Sequence, residues 1–247
     1  MCGVIGFRAN DNRDLNFAKY LLAESQIRGK HSTGVSILFN KEKLITTKDN
    51  ISARIFIDKY WDQIEFDIRY IENVSFLAHT RYSTSGEPNI TNAQPIADDE
   101  LAISMNGVIT QSSPDKWKNE FDVKCVTTND TEIAFHKMKQ GINPLTLSKS
   151  GDNKFSMAVC SLSNTGRIQF FRNGRRPLYY ALLKGYNDFA IVASTKQIIE
   201  RALAKCGSSV TMNCLVPTTP GLLYELFSDN IIEKGLVTDK LEDWQNG

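Results

Sequence analysis

Met1-Cys2-Gly3-Val4-Ile5-Gly6-Phe7-Arg8-Ala9 sets a thiol one residue ahead of a short apolar run that soon meets a charge. Gly3 to Ala9 reads as a strand, and Leu15 to Ile27 spaces Leu15, Ala18, Leu21 and Leu22 close to one face of a helix. A strand feeding a helix therefore begins the fold, with Cys2 at its head. Methionine followed by a small residue is readily trimmed, and trimming leaves Cys2 carrying both a thiol and a free α-amine. An α-amino group has a pKa of about 7.7 to 8.0, so near neutrality part of it is unprotonated and can take the thiol proton directly or through water. No histidine base is required, and His31, His79 and His136 stand in no recognisable Cys-His pattern. Taken alone, Met-Cys-Gly also fits an incidental second residue on a frayed terminus.

Further along, Gly34 to Phe39 and Lys43 to Thr47 read as a strand pair joined by the turn Asn40-Lys41-Glu42. Val74 to Thr80 and Leu101 to Met105 read as buried strands that end in small or polar residues, where chemistry often begins. Asn129 to Gln140 has helical spacing, with Asn129 or Asp130 near its start and Glu132 in the first turn. Four more strands follow at Phe155 to Leu162, Arg167 to Phe171, Leu178 to Leu183 and Phe189 to Ala193, with turns at Asn164-Thr165-Gly166 and Asn173-Gly174. A helix over Lys196 to Lys205 and a hairpin around Ser228-Asp229-Asn230 complete the pattern. Strands in two sets with helices between them suggest stacked antiparallel sheets covered by helices, an α+β architecture.

The composition agrees with a folded chain. Its 247 residues include 29 basic and 28 acidic side chains, a formal charge of +1, with 41% hydrophobic and 23% charged residues. Balanced charge gives no reason to expect nucleic acid or an acidic membrane surface as a partner. No apolar run approaches the roughly 18 to 20 residues that span a bilayer. The first residues do not read as a secretion leader, so a cytoplasmic location is expected. Five cysteines, an odd number with no C-x-x-C pair, suggest neither a disulfide framework nor a thiolate zinc site, and no metal or cofactor is expected.

Three segments hold the remaining chemistry. His79-Thr80-Arg81-Tyr82-Ser83-Thr84 turns from buried strand to polar loop, and an arginine there can fork two N–H bonds onto a carboxylate, although a structural ion pair is the commoner fate of an isolated arginine. Asn106-Gly107 ends another strand with a side-chain amide followed by a backbone N–H, two adjacent donors of the kind that hold an oxyanion, where an Asn-Gly pair more often marks only a turn. Asp130 stands at a helix start, where it reads first as an N-cap and second as a partner for a substrate ammonium. Arg81 and Asp130 together would grip both charged ends of a free amino acid.

In this order the fragments resemble the class II glutamine amidotransferases, whose catalytic domain is an N-terminal-nucleophile hydrolase. The resemblance runs through Cys2-Gly3-Val4-Ile5-Gly6, Arg28-Gly29-x-x-Ser32-x-Gly34, His79 to Thr84, Asn92-Ala93-Gln94-Pro95, Asn106-Gly107, Asp130-Thr131-Glu132 and Arg176-Pro177-Leu178. Each fragment is modest, and their joint order is specific. The glutaminase domains of glucosamine-6-phosphate synthase and amidophosphoribosyltransferase look like this throughout. The resemblance implies a four-layer αββα sandwich spanning 1–247 as one type-2 glutamine amidotransferase domain, with Met1 removed and a C-terminal hairpin and tail over about 230–247. It implies Cys2 as nucleophile and base, Asn106 and Gly107 as the oxyanion hole, Arg81 on the α-carboxylate of L-glutamine and Asp130 on its α-ammonium. Tyr82 and Thr84 would line the pocket, and Arg28 and Gly29 would orient the N-terminal residue.

Two positions depart from the pattern. His31 stands in an Arg-Gly-x-His run where Arg-Gly-x-Asp is usual, and Ser85 replaces a histidine of the glucosamine-6-phosphate synthase group. No P-loop, Ser-Gly-Gly-x-Asp-Ser motif or phosphoribosyl-binding stretch is present, so the ammonia is expected to pass to a separate synthetase. Asn173 to Arg176 and Leu236 to Trp244 are candidate docking surfaces for it. Two other readings compete: an N-terminal-nucleophile hydrolase acting on another amide, and a noncatalytic regulatory subunit of the same fold. The paired charges of Arg81 and Asp130 weigh against the first, and the retained Cys2, Asn106 and Gly107 against the second.

Overall fold

A computed structural model of the chain describes residues 1–39, 43–83, 89–147, 156–174 and 176–236. The turn expected at Asn40-Lys41-Glu42, Thr84 of the expected pocket, Arg175 and all but the first residue of the Leu236 to Trp244 segment lie outside the described residues.

In chain order the elements are β1 (Gly3–Ala9), α1 (Leu15–Ser25), β2 (Ser32–Phe39), β3 (Lys43–Asp49), α2 (Ala53–Ile68), β4 (Val74–Arg81), β5 (Ile96–Ala97), β6 (Leu101–Gly107), α3 (Trp117–Phe121), α4 (Thr131–Lys139), α5 (Pro144–Leu147), β7 (Met157–Ser163), β8 (Ile168–Arg172), β9 (Tyr179–Lys184), β10 (Asp188–Ala193), α6 (Lys196–Cys206), β11 (Thr211–Pro217), β12 (Leu222–Leu226) and β13 (Ile231–Leu236). They form a seven-stranded sheet, ordered β11-β9-β10-β1-β4-β2-β3, and a six-stranded sheet, ordered β13-β12-β8-β7-β6-β5. Every pairing is antiparallel.

Strand alternation assigns the layers. In β1, Ile5, Phe7 and Ala9 pack with Leu21 and Leu22 of α1, Phe56 of α2 and Ile198 of α6. Val4, from the other face, packs with Ala158 and Cys160 of β7 and Phe170 of β8, and so lies between the sheets. Beyond the second sheet, Ile103 and Met105 of β6 pack with Trp117 of α3 and Ile133 and Met138 of α4. The result is the four-layer αββα sandwich, and each fully buried side chain of Phe or Ile size contributes about 1.5–3 kcal/mol to holding it. No helix among the described residues is long and apolar enough to cross a membrane.

The expected hairpin at 228–230 is present between β12 and β13. The turn at Asn164-Thr165-Gly166 closes with the Gly166 N–H donating to the Ser163 carbonyl at 2.9 Å, with Gly166 at φ +81°. Five elements carried no expectation from the sequence: the short β5, α3 and α5, the 16-residue helix α2 and the edge strand β11.

Candidate active site

β1 and β4 lie side by side in the first sheet, with Gly3 opposite Thr80. Cys2 thus comes to the end of β4, where Arg81 and Tyr82 follow. The Cys2 sulfur is 3.9 Å from the Tyr82 carbonyl oxygen. The Cys2 backbone N–H donates to Asn106 Oδ1 at 3.3 Å across the gap between the sheets. Arg28, just beyond α1, donates from Nε to the Cys2 carbonyl at 3.1 Å. One residue on, a Cβ built on Gly29 would stand 2.3 Å from the Arg81 carbonyl carbon and 2.5 Å from the Tyr82 nitrogen, so only glycine lets this turn press against the 81–82 backbone. The start of β1 is held further in by Ser194, whose hydroxyl accepts from the Val4 N–H at 2.8 Å.

Asn106, the last residue but one of β6, is 2% exposed, and its Nδ2 has no hydrogen-bond partner among the described residues. An amide donor buried without a partner is costly, at about 1–3 kcal/mol, and such a group in a native fold points to a ligand-handling role. Its place is set by the residue before it. The Met105 N–H donates to Gln94 Oε1 at 2.6 Å, and the Met105 carbonyl lies 3.2 Å from His79 Nε2. Burial pushes the His79 pKa down to about 3, so the ring is neutral and Nε2 acts as the donor. Gly107 follows with Ser156 O only 2.6 Å from where its Cβ would be.

Asp130 does not cap α4. Asn129 does, accepting the Thr131 N–H on Oδ1 at 3.1 Å, while Asp130 makes no side-chain cap bond. Instead Asp130 Oδ2 accepts the Ile109 N–H at 2.5 Å, which anchors the loop leaving Asn106-Gly107. Burial raises the Asp130 pKa, opposed by the Ile109 and Thr110 N–H groups and the charge of Arg81. Arg81 shows the converse balance: burial lowers its pKa, and the neighbouring Cys2 and Asp130 groups favour its charged form. Cys2, Arg81 and Asp130 thus share one electrostatic environment. The turn before Asp130 is fastened by Asn92, which accepts the Thr128 N–H on Oδ1 at 2.9 Å and the Asn129 Nδ2 on its carbonyl at 2.8 Å.

His31 occupies the position of the departure from Arg-Gly-x-Asp, and it clamps the 81–83 segment three ways. Its N–H donates to the Arg81 carbonyl at 3.0 Å, its ring stacks on Tyr82 at 4.9 Å, and its Nδ1 accepts the Ser83 N–H at 2.8 Å. Tyr82 itself is half exposed. Of the residues singled out in the sequence, the structure gathers Cys2, Arg28, Gly29, Arg81, Tyr82, Asn106, Gly107 and Asp130 around one end of the paired sheets. Gln94, His79 and Ser194 had no expected role. Gln94 and His79 lay inside quoted motifs, and a polar side chain in an otherwise apolar strand, as with His79 in β4, is the signal that marks such positions.

Residues 79–201 match the family model described as a glutamine amidotransferase domain. Over 206 residues the chain is 29% identical to the glutamine–fructose-6-phosphate aminotransferase of Sulfurisphaera tokodaii, covering 77% of this chain and 33% of the relative. Over 191 residues it is 25% identical to the same-named enzyme of Helicobacter pylori, covering 73% and 29%. The chain thus spans about a third of the length of these relatives. Among solved structures, the glutamine phosphoribosylpyrophosphate amidotransferase of B. subtilis superposes with TM-score 0.67 at 18% identity, over 97% of this chain and 50% of that one. A structure described as the allosteric regulatory enzyme of purine biosynthesis superposes with TM-score 0.69 at 19% identity, over the same shares.

Proposed function

We propose that this chain, which carries a class II glutamine amidotransferase domain, hydrolyses L-glutamine to glutamate and ammonia through a γ-glutamyl thioester on Cys2. With Met1 removed, the Cys2 nitrogen is an α-amine, and the Asn106 Oδ1 that faces it at 3.3 Å orients its lone pair toward the thiol. The amine takes the thiol proton, and the sulfur attacks the side-chain amide carbon of glutamine. The resulting oxyanion takes the Asn106 Nδ2 and Gly107 N–H donors. Collapse breaks the C–N bond, the α-ammonium returns its proton to the leaving nitrogen, and ammonia departs. Water, deprotonated by the same amine, then cleaves the thioester to glutamate and the free thiol.

The single observation that carries this reading is Asn106, whose buried Nδ2 is unpartnered while its Oδ1 faces the Cys2 nitrogen. Arg81 and Asp130 supply opposite charges for the α-carboxylate and α-ammonium of a free amino acid, which bulky acylamides do not carry. Tyr82, Thr84, Arg28 and Gly29 are read as lining and bracing that pocket.

Ammonia near neutral pH is mostly ammonium and a poor nucleophile, so productive use calls for transfer under cover. We propose a separate synthetase, docked over the glutamine site, as the acceptor of that ammonia. The relatives' names, an aminotransferase on fructose 6-phosphate and an amidotransferase on phosphoribosylpyrophosphate, support ammonia transfer as the purpose. The test is glutamate release from L-glutamine with hydroxylamine present. The reading expects γ-glutamyl hydroxamate from the wild type and none from Cys2→Ala. Hydroxamate formation surviving in Cys2→Ala would remove the thioester.

A further inference from the structure

A second cluster of reactive side chains lies beside the helix that Asp130 precedes. Glu132 and His136 sit one turn apart on the same face of α4, with Glu132 Oε1 3.5 Å from His136 Nε2. Cys125, in the turn leading to α4, completes the group, and the three donor atoms lie within 4.8 Å of one another. His136 Nε2 is buried yet has no hydrogen-bond partner among the described residues. Glu132 is held rigidly: Oε1 accepts the Val126 N–H at 2.9 Å and Oε2 the Thr127 N–H at 2.7 Å, and each oxygen keeps a second lone pair.

We propose that Cys125, Glu132 and His136 form a binding site for Zn2+, with water in the fourth position. Around a tetrahedral zinc, with its usual bond lengths, a nitrogen and a carboxylate oxygen stand about 3.4 Å apart and a sulfur stands about 3.6 Å from the nitrogen. The Glu132–His136 pair already has that spacing, and a rotation of Cys125 by about 1 Å closes the rest. A mixed sulfur, nitrogen and oxygen set selects zinc over the harder calcium and magnesium ions. Fixed backbone bonds to a ligating carboxylate are the outer-shell support that such centres use.

The charges close as well. The Cys125 thiol, raised to about 12 by burial and the Glu132 carboxylate, is protonated in the free protein. Binding breaks its S–H bond, forms a Zn–S bond and releases one proton to solvent. No electron changes hands. Thiolate, carboxylate and Zn2+ then sum to zero, which suits a half-buried position. Both Cys125 and His136 are partly exposed, so the ion has a way in. The bound ion would tie the 125–127 turn to the first turn of α4.

The test is titration of the chelator-treated full chain with Co2+, which reports ligand type by absorption. The wild type is expected to show a thiolate-to-cobalt charge-transfer band and the visible bands of four-coordinate Co2+, both bleached by Zn2+. Cys125→Ser should lose the charge-transfer band, and both it and His136→Gln should weaken Zn2+ binding about tenfold or more in chelator competition. Zn2+ should raise the Tm of the wild type and not of either variant, so a variant that is less stable without metal is still informative. Cys2→Ala should keep the full spectrum. A wild-type spectrum without the thiolate band, a band that survives Cys125→Ser, or one abolished by Cys2→Ala would each overturn the assignment.

Discussion

Asn106→Ala separates stabilisation of the reaction from stabilisation of the fold. The substitution removes Nδ2, which has no partner in the folded protein, and Oδ1, which accepts from the Cys2 nitrogen at 3.3 Å. Losing a buried unpaired donor recovers about 1–3 kcal/mol, losing the long hydrogen bond costs about 0.5–1.5, and the small cavity takes back a similar amount. The net is near zero, so the Tm should move by less than about 4 °C. Turnover behaves differently, because the oxyanion that Nδ2 serves exists only along the reaction path. One lost oxyanion donor costs about a hundredfold to a thousandfold in kcat, with KM for glutamine changed far less. Steady-state glutamate release and thermal denaturation on the same preparation measure both quantities. A kcat within about fivefold of wild type, or a large rise in KM at unchanged kcat, would refute the oxyanion role.

The other residues predict different signatures. Arg81→Ala should raise the glutamine KM by about tenfold to a hundredfold, the loss of a charge-assisted contact to bound substrate, and an unchanged KM would remove it from that role. Asp130→Asn should weaken glutamine binding and also stabilise the free protein near neutrality. Burial raises the Asp130 pKa above its unfolded value, so its contribution to stability is full below the unfolded value and is lost as pH rises through the folded one. The Tm gap between Asp130→Asn and wild type should accordingly shrink in acid, and a gap that widens there would contradict the burial argument. His31→Asn keeps an acceptor for the Ser83 N–H and should hold KM near wild type, whereas His31→Ala loses acceptor and stacking and should raise it. Equal KM values for the two would mean that the clamp does not matter. Gly29→Ala should lower stability by more than about 1 kcal/mol, since its methyl group would stand 2.3 Å from the Arg81 backbone, and a neutral result by thermal denaturation would show that the turn can yield.

The layers were readable because their strands alternate or run apolar over local windows, as in β1, β6 and β7. Helix α2 was not, because the pattern of its buried face, Phe56, Ile57, Trp61, Ile64 and Ile68, is blurred by large apolar residues exposed outside that face, Ile55 and Phe66. β11 escaped because it is an edge strand with a mostly exposed, mixed surface, bearing a register shift between Met212 and Cys214. Sheet order was beyond local pattern, since β1 sits between β10 and β4, strands remote in sequence. The same holds for the site. Cys2 and Asn106 each had a chemical reading, but that the Cys2 nitrogen faces Asn106 Oδ1 depends on two sheets meeting. Asp130 read first as a cap, and only the competing bond from Asn129 shows why its carboxylate is turned to the Ile109 N–H instead. Cys125, Glu132 and His136 follow no familiar zinc spacing, because two of the three are brought together by helix geometry and the third by the turn before it.

Intact mass and turnover, measured together on fractions resolved by their N-terminus, bear most directly on the mechanism. Protein beginning at Cys2 should hydrolyse glutamine, and protein still bearing Met1, whose Cys2 nitrogen is held in a peptide bond, should not. Equal turnover by the two forms would contradict a thiol activated by its own α-amine.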